Sequence, residues 1–138
     1  DLCALTFNDA SFDLELCNEL FAHVQELERA FREIARVLRP GGRLVATCPL
    51  AFGQRESIVK AVHNPATGEA EVRGEPNYHG DPVRPQHGSL VYRIPGGEIL
   101  EQLQQAGFSE AHMHHIASWK HGVLGSDLPG VLVIEAER

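Results

Sequence analysis

The chain has eight histidines and three cysteines among its 138 residues, and their spacing limits the chemistry they could do. His79, Asp81 and His87 stand within one stretch rich in Gly and Pro, GEPNYHGDPVRPQHGS (residues 74–89). Such groups either chelate a cation or remain solvated and hydrogen-bonded. The second is expected, so no metal is assigned. His112, His114 and His115 fall in a run with strand periodicity, which puts His112 and His114 on one face. No cysteine or carboxylate at ligand spacing completes a zinc set, and they read as exposed strand histidines. Pro40-Gly41-Gly42 follows a helical pattern and precedes an apolar run. That is the reverse of the order a phosphate cradle needs, so it reads as a turn. Cys3, Cys17 and Cys48 are odd in number, far apart and set among apolar residues, as expected of reduced thiols in a cytoplasmic protein. Trp119 is expected to be a partly buried rim residue beside a turn.

Composition narrows the classes further. Hydrophobic residues make up 43%, enough for one domain that buries roughly two-thirds of its unfolded surface. Twelve basic residues against nineteen acidic ones give a net charge of −7, the wrong sign for holding nucleic acid. No apolar run nears the roughly 20 residues a bilayer span requires, and neither membrane nor leader is expected. The chain begins at Asp1 and its only methionine is Met113. The expectation is a processed or truncated piece, with a segment missing on the N-terminal side.

The elements that must position these groups follow from periodicity. Phe12, Leu14 and Leu16 alternate with Asp13, Glu15 and Cys17, which predicts a strand. Leu27, Ala30, Phe31, Ile34, Val37 and Leu38 form the stripe of an amphipathic helix, with Glu28 and Arg32 as an i,i+4 pair. Pro40-Gly41-Gly42 ends it. Residues 44–48 (LVATC) suit a strand covered on both faces. Residues 50–97 form an insertion or lid that opens with a hairpin turning at residues 64–68 (NPATG). A short helix over Ile99–Ala106, a strand over Ser109–Ile116 and a last strand over Val131–Ala136 complete an α/β order whose final strands form an antiparallel edge hairpin. Four strands and two helices leave one sheet face without cover.

DASFDLELCNELFAHV (residues 9–24), followed by LERAFREIARVLRPGGRLVATCPL (residues 27–50), closely resembles the class I S-adenosylmethionine (SAM)-dependent methyltransferases, in particular the type 11 small-molecule branch. The segment from Tyr78 to Arg93 resembles an insertion of one uncharacterised subset. The resemblance implies a partial Rossmann-like methyltransferase sheet (strands 4, 5, 6 and 7, the last antiparallel), with the glycine-rich cofactor motif upstream of Asp1. By the same resemblance Asp1 accepts a hydrogen bond from the adenine amino group, and the Leu2 backbone lies beside the ring. Cys17, Asn18 and Glu19 stand where the family lines the methionine end of SAM. His23 matches a histidine common at the active-site rim. Thr6 replaces a usual proline, and Glu15 stands where the family has an apolar residue, on a face that helices should cover.

Methyl transfer asks for alignment of an acceptor, exclusion of water and, for some acceptors, one base within reach. His23, His79 and Asp81 are the candidates, with His23 first because a strand-end position is held more rigidly than a loop. His23 reads equally well as a packing residue, Cys17 and Cys48 as core, and Asp1 as a frayed chain end. The expectation is therefore a SAM-dependent methyltransferase acting on a small molecule, without nucleic acid or membrane, and present either as a homodimer or beside its missing N-terminal segment. The alternative is a non-catalytic methyltransferase-like module that joins another subunit through its open sheet edge. A nicotinamide-binding half is disfavoured, since no G-x-G-x-x-G follows a strand.

Overall fold

A computed structural model describes residues 1–80, 86, 88–125 and 129–138. In chain order the elements are β1 (Phe12–Asn18), a 3-10 turn (Phe21–His23), α1 (Leu27–Val37), β2 (Leu38–Thr47), β3 (Ile58–Val59), β4 (Ala61–His63), β5 (Ala70–Val72), β6 (Tyr78–His79), β7 (Ser89–Leu90), β8 (Arg93–Ile94), α2 (Ile99–Gln105), β9 (Glu110–Ile116), a second 3-10 turn (Trp119–His121) and β10 (Val131–Glu137).

Four strands form the main sheet in the order β1-β2-β10-β9. β1 and β2 are parallel, and β10 runs antiparallel to both β2 and β9. The α/β class, the parallel pair and the antiparallel edge hairpin are those read from periodicity. The sheet sorts its residues by face. Cys17, Leu44, Ala46, Ile134 and Ala136 point to one side, where they pack on Phe31, Ile34, Ile99 and Leu103 of α1 and α2. On the opposite side Leu14 and Leu16 remain 52% and 66% exposed, and ion pairs of Arg43 with Glu135 (3.2 Å) and Glu137 (3.4 Å) lie across the strands. One face is covered and one is bare, as four strands with two helices require.

α1 forms because six apolar residues fall on one stripe: Leu27, Ala30, Phe31, Ile34, Ala35 and Val37 are all buried. Its ion pairs are i,i+3, Arg29 with Glu26 (3.0 Å) and Arg36 with Glu33 (2.9 Å). The expected Glu28–Arg32 pair does not form, and Glu28 instead lies within electrostatic reach of Arg93. The helix also stops one residue sooner than the apolar stripe. Leu38 is extended (φ −72°, ψ 145°), and Arg39 precedes a proline, which disfavours helical backbone there. Pro40-Gly41-Gly42 is therefore not a turn between helix and strand. It lies inside β2, where Leu38 pairs with Phe12 and the next pair is Arg43 with Leu14, so the intervening residues bulge out. Gly42 allows the bulge to close, since a Cβ there would meet the Arg39 carbonyl oxygen at 2.8 Å.

Between β2 and α2 run short ladders: β3 with β8, β4 with β5 and β6 with β7. The β4–β5 hairpin turns where NPATG predicts it, with the Asn64 side-chain oxygen accepting from Ala66 N–H (2.9 Å). Trp119, expected to be partly buried, is 89% exposed, in a 3-10 turn that buries none of its residues. Among the described residues no helix is long and apolar enough to cross a membrane.

Candidate active site

The carboxyl ends of β1 and β2 meet at a strained corner. Glu19 follows β1 with φ at 54°, a left-handed conformation unusual for a side chain larger than glycine. Its N–H donates to Thr47 O (2.8 Å), while the Thr47 hydroxyl donates to the Asn18 side-chain oxygen (3.4 Å). The chain then enters the Phe21–His23 turn, anchored by the fully buried Phe21 and Ala22. His23 thus sits on a short turn beyond the strand, not at the strand end that sequence assigned to it.

Residues 90–93 return along this turn and clamp it. Tyr92 N–H donates to Ala22 O (2.8 Å), Gln25 donates to the Tyr92 hydroxyl (2.6 Å), and the Arg93 guanidinium donates to Gln25 O (2.8 Å). Between these contacts His23 Nδ1 lies 2.8 Å from Leu90 O, and His23 Nε2 lies 3.2 Å from His79 Nδ1. The two rings meet edge to face, with centroids 5.0 Å apart. A carbonyl oxygen only accepts, so His23 carries its proton on Nδ1 and offers a lone pair at Nε2. His79 must then donate from Nδ1, which leaves its Nε2 as a lone pair with no hydrogen-bond partner among the described residues. Asp81, the third catalytic candidate, and His87 lie outside the described residues.

Two clefts border this corner. One of about 500 Å³ is lined by Asp1, Leu2, Leu20, His23, Gln25 and His63, bringing together the predicted adenine contacts and the first-ranked histidine. The other, also about 500 Å³, is lined by Glu19, Thr47, Cys48, Leu50, Phe52 and His115. Both are of a size that holds a small molecule. Cys17 enters neither: its side chain is in the core, and burial raises its thiol to about 12, as it does that of Cys48. Asn18 lies on the exposed side of the same strand. The expected cofactor contacts are therefore divided among two clefts and the core.

The first eight residues are not a frayed end. Leu5 N–H donates to Glu33 (2.9 Å), and the Arg36 guanidinium donates to Leu5 O (3.0 Å), Phe7 O (2.9 Å) and Asp9 (2.6 Å). The Asp1 carboxylate accepts from Cys3 N–H (2.9 Å), which turns the chain at the cleft wall and leaves one carboxylate oxygen without a hydrogen bond among the described residues. Glu15 faces the covered side of β1 with no hydrogen bond or ion pair among the described residues, and burial raises its carboxyl above the ordinary range. Gln25, Leu90 and Tyr92, which build the clamp, were not singled out in the sequence. Their contacts span 67 positions, and no local pattern announces them.

Residues 1–46 match the family described as "Methyltransferase domain". Among curated proteins the chain is 32% identical over 80 residues to a sarcosine/dimethylglycine N-methyltransferase of Halorhodospira halochloris, covering 56% of this chain and 28% of that protein. It is 37% identical over 62 residues to methyltransferase GfsG of Streptomyces halstedii, covering 45% of this chain and 22% of that protein. The fold superposes over its whole length on 67% of a SAM-dependent methyltransferase from Mesorhizobium loti, with a TM-score of 0.62 and 20% identity. The match over residues 1–46 and the superposition show that the chain has the fold of the SAM-dependent methyltransferases. It spans less than a third of the length of the curated relatives it matches. Within this methyltransferase fold both clefts lie at the carboxyl end of the parallel strands, where open α/β sheets bind ligands.

Proposed function

We propose that the chain forms part of an enzyme that transfers a methyl group from SAM to a small molecule. The observation that supports this is one cleft lined together by Asp1, Leu2 and His23, the residues proposed for adenine and for the active-site rim. Asp1 would hold the adenine amino group through its other carboxylate oxygen, with Leu2 against the ring. Asn18 and Glu19 would border the methionine end, and Cys17 would contribute backbone alone. Bound SAM supplies an already activated methyl, so the protein's own task is to orient the acceptor and keep water out. His23, His79 and Asp81 are the groups proposed to manage an acceptor proton. A small, protic acceptor agrees with the relative named for methylating sarcosine and dimethylglycine.

Calorimetric titration of SAM into the polypeptide that contains these residues tests this. SAM binds, and Asp1→Ala weakens it by about tenfold or more, the loss expected for one hydrogen bond to a charged group. Unchanged affinity in Asp1→Ala removes Asp1 from the site, and no binding at all removes the function.

A second reading has its own support. Among the described residues β1 is an edge strand with no partner on its outer side, and its Leu14 and Leu16 are exposed. Such an edge suits a non-catalytic module that pairs with another subunit, or a homodimer. A stable complex that forms without any SAM binding would favour it.

A further inference from the structure

We propose that the groove between the first turns of α1 and Arg93 is a further ligand site, which takes a carboxylate or phosphate group of a small molecule between the guanidiniums of Arg93 and Arg32. The site rests on its own charges and not on the methyltransferase reading. The groove has a volume of about 370 Å³ and is lined by Gln25, Glu26, Glu28, Arg29, Arg32 and Arg93. Gln25, Glu26 and Arg29 also line the Asp1–His23 cleft, so the two spaces share a wall.

In a chain of net charge −7, arginines that share a groove are ordinarily matched by carboxylates. Here only Arg29 is, by Glu26 at 3.0 Å. Arg32, one turn further along α1, is exposed and has no hydrogen bond or ion pair among the described residues. Arg93 is half-buried, and its guanidinium donates from Nη2 to a neutral acceptor, the Gln25 carbonyl (2.8 Å). Its Nε is enclosed without a partner, and its Nη1 donates to nothing among the described residues. Glu28 and Glu98 lie within electrostatic reach of Arg93, but neither forms an ion pair with it among the described residues. Burial therefore pulls the Arg93 guanidinium below its ordinary range, against the opposing pull of those two carboxylates. Three arginines against Glu26 and Glu28 leave the lining with one positive charge in excess. A cation is repelled by such a groove, and an uncharged ligand leaves that excess in place. An oxyanion removes it, because the planar fork of a guanidinium matches the paired oxygens of a carboxylate or phosphate, and these charge-assisted bonds are about twice as strong as neutral ones.

Titration of the polypeptide that contains these residues with inorganic phosphate and with acetate, followed through the arginine Nε–H signals in proton–nitrogen NMR, tests this. One or both anions shift the Arg93 signal to saturation, and the one that does so names the group the site prefers. The signal of Arg39, which is paired with Asp13 beyond the far end of α1, stays in place. Arg93 also holds the Gln25 carbonyl, so the variants are placed at Arg32 and Glu28, whose side chains have no hydrogen bond or ion pair among the described residues. Arg32→Gln weakens the anion about tenfold, the loss expected for a charge-assisted hydrogen bond. Glu28→Gln removes a competing negative charge from the rim and tightens the anion by about threefold, the scale of an exposed charge pair. This gain cannot come from a damaged fold. The absence of a saturable shift with either anion overturns the site, as does an Arg39 signal that moves in step with that of Arg93. Unchanged affinity in Arg32→Gln, or weaker binding in Glu28→Gln, overturns it as well.

Discussion

Glu33 ties the first residues of the chain to α1. Its two oxygens accept from Arg36 Nε and Nη2 and from Leu5 N–H, all at 2.9 Å, and these bonds hold its carboxyl well below the usual range, at about 2. In the unfolded chain the same group returns to its ordinary value near 4.5. Because the folded value is the lower one, the stabilisation is complete above the ordinary range and fades as pH falls from about 4.5 toward 2. Scanning calorimetry between pH 6 and pH 2 should show Tm falling through that window in the wild type. Glu33→Gln should start lower at pH 6 and change less. Equal slopes in the two proteins would mean that Glu33 does not carry the linkage. Since the Asp1–Leu5 segment forms part of the cleft wall, SAM affinity should decline with the same variant.

At the scale of elements, α1 and the Phe21 turn share the most sensitive joint. Phe31 is fully buried and meets Phe21 edge to face, with centroids 5.1 Å apart. Phe31→Ala should destabilise the fold by about 3–5 kcal/mol, read from urea unfolding as a lower midpoint at an unchanged m-value. Because the turn carries His23, a smaller loss would show that the turn collapses into the cavity. α1 was legible in the sequence because one 3.6-residue stripe both forms the helix and buries it. β9, β10 and the 64–68 hairpin were legible from strand alternation and turn chemistry. The start of β2 was not: Leu38 continues the apolar stripe of α1, and only the pairing with Phe12 makes it a strand residue. The His23–His79 contact was invisible for a related reason. Both residues were candidates for separate reasons, but their meeting across 56 positions depends on how the segment between β2 and α2 folds back.

For the whole molecule the decisive feature is the outer side of β1, which pairs with no strand among the described residues. A free edge flanked by Leu14 and Leu16 is a template for another strand. The chain expressed on its own should self-associate, its weight-average mass in light scattering rising with concentration. Leu16→Lys, which puts a charge on that exposed face, should return it toward a monomer at little cost in stability. A wild-type chain that stays monomeric at all concentrations would show that the edge is already protected. The far end of the sheet behaves differently. Arg138 N–H donates to Gly42 O (3.0 Å), its carbonyl accepts from Gly41 N–H (2.7 Å), and its guanidinium reaches the carbonyls of Arg36 and Leu38. Arg138 is thus stitched to the start of β2, whereas both clefts open beyond that strand's other end. A dye, a bead or a fluorescent reporter attached to the side chain at position 138 would hang from the pole remote from both clefts, which makes that end of the sheet the handle for tethering this fold without shading them.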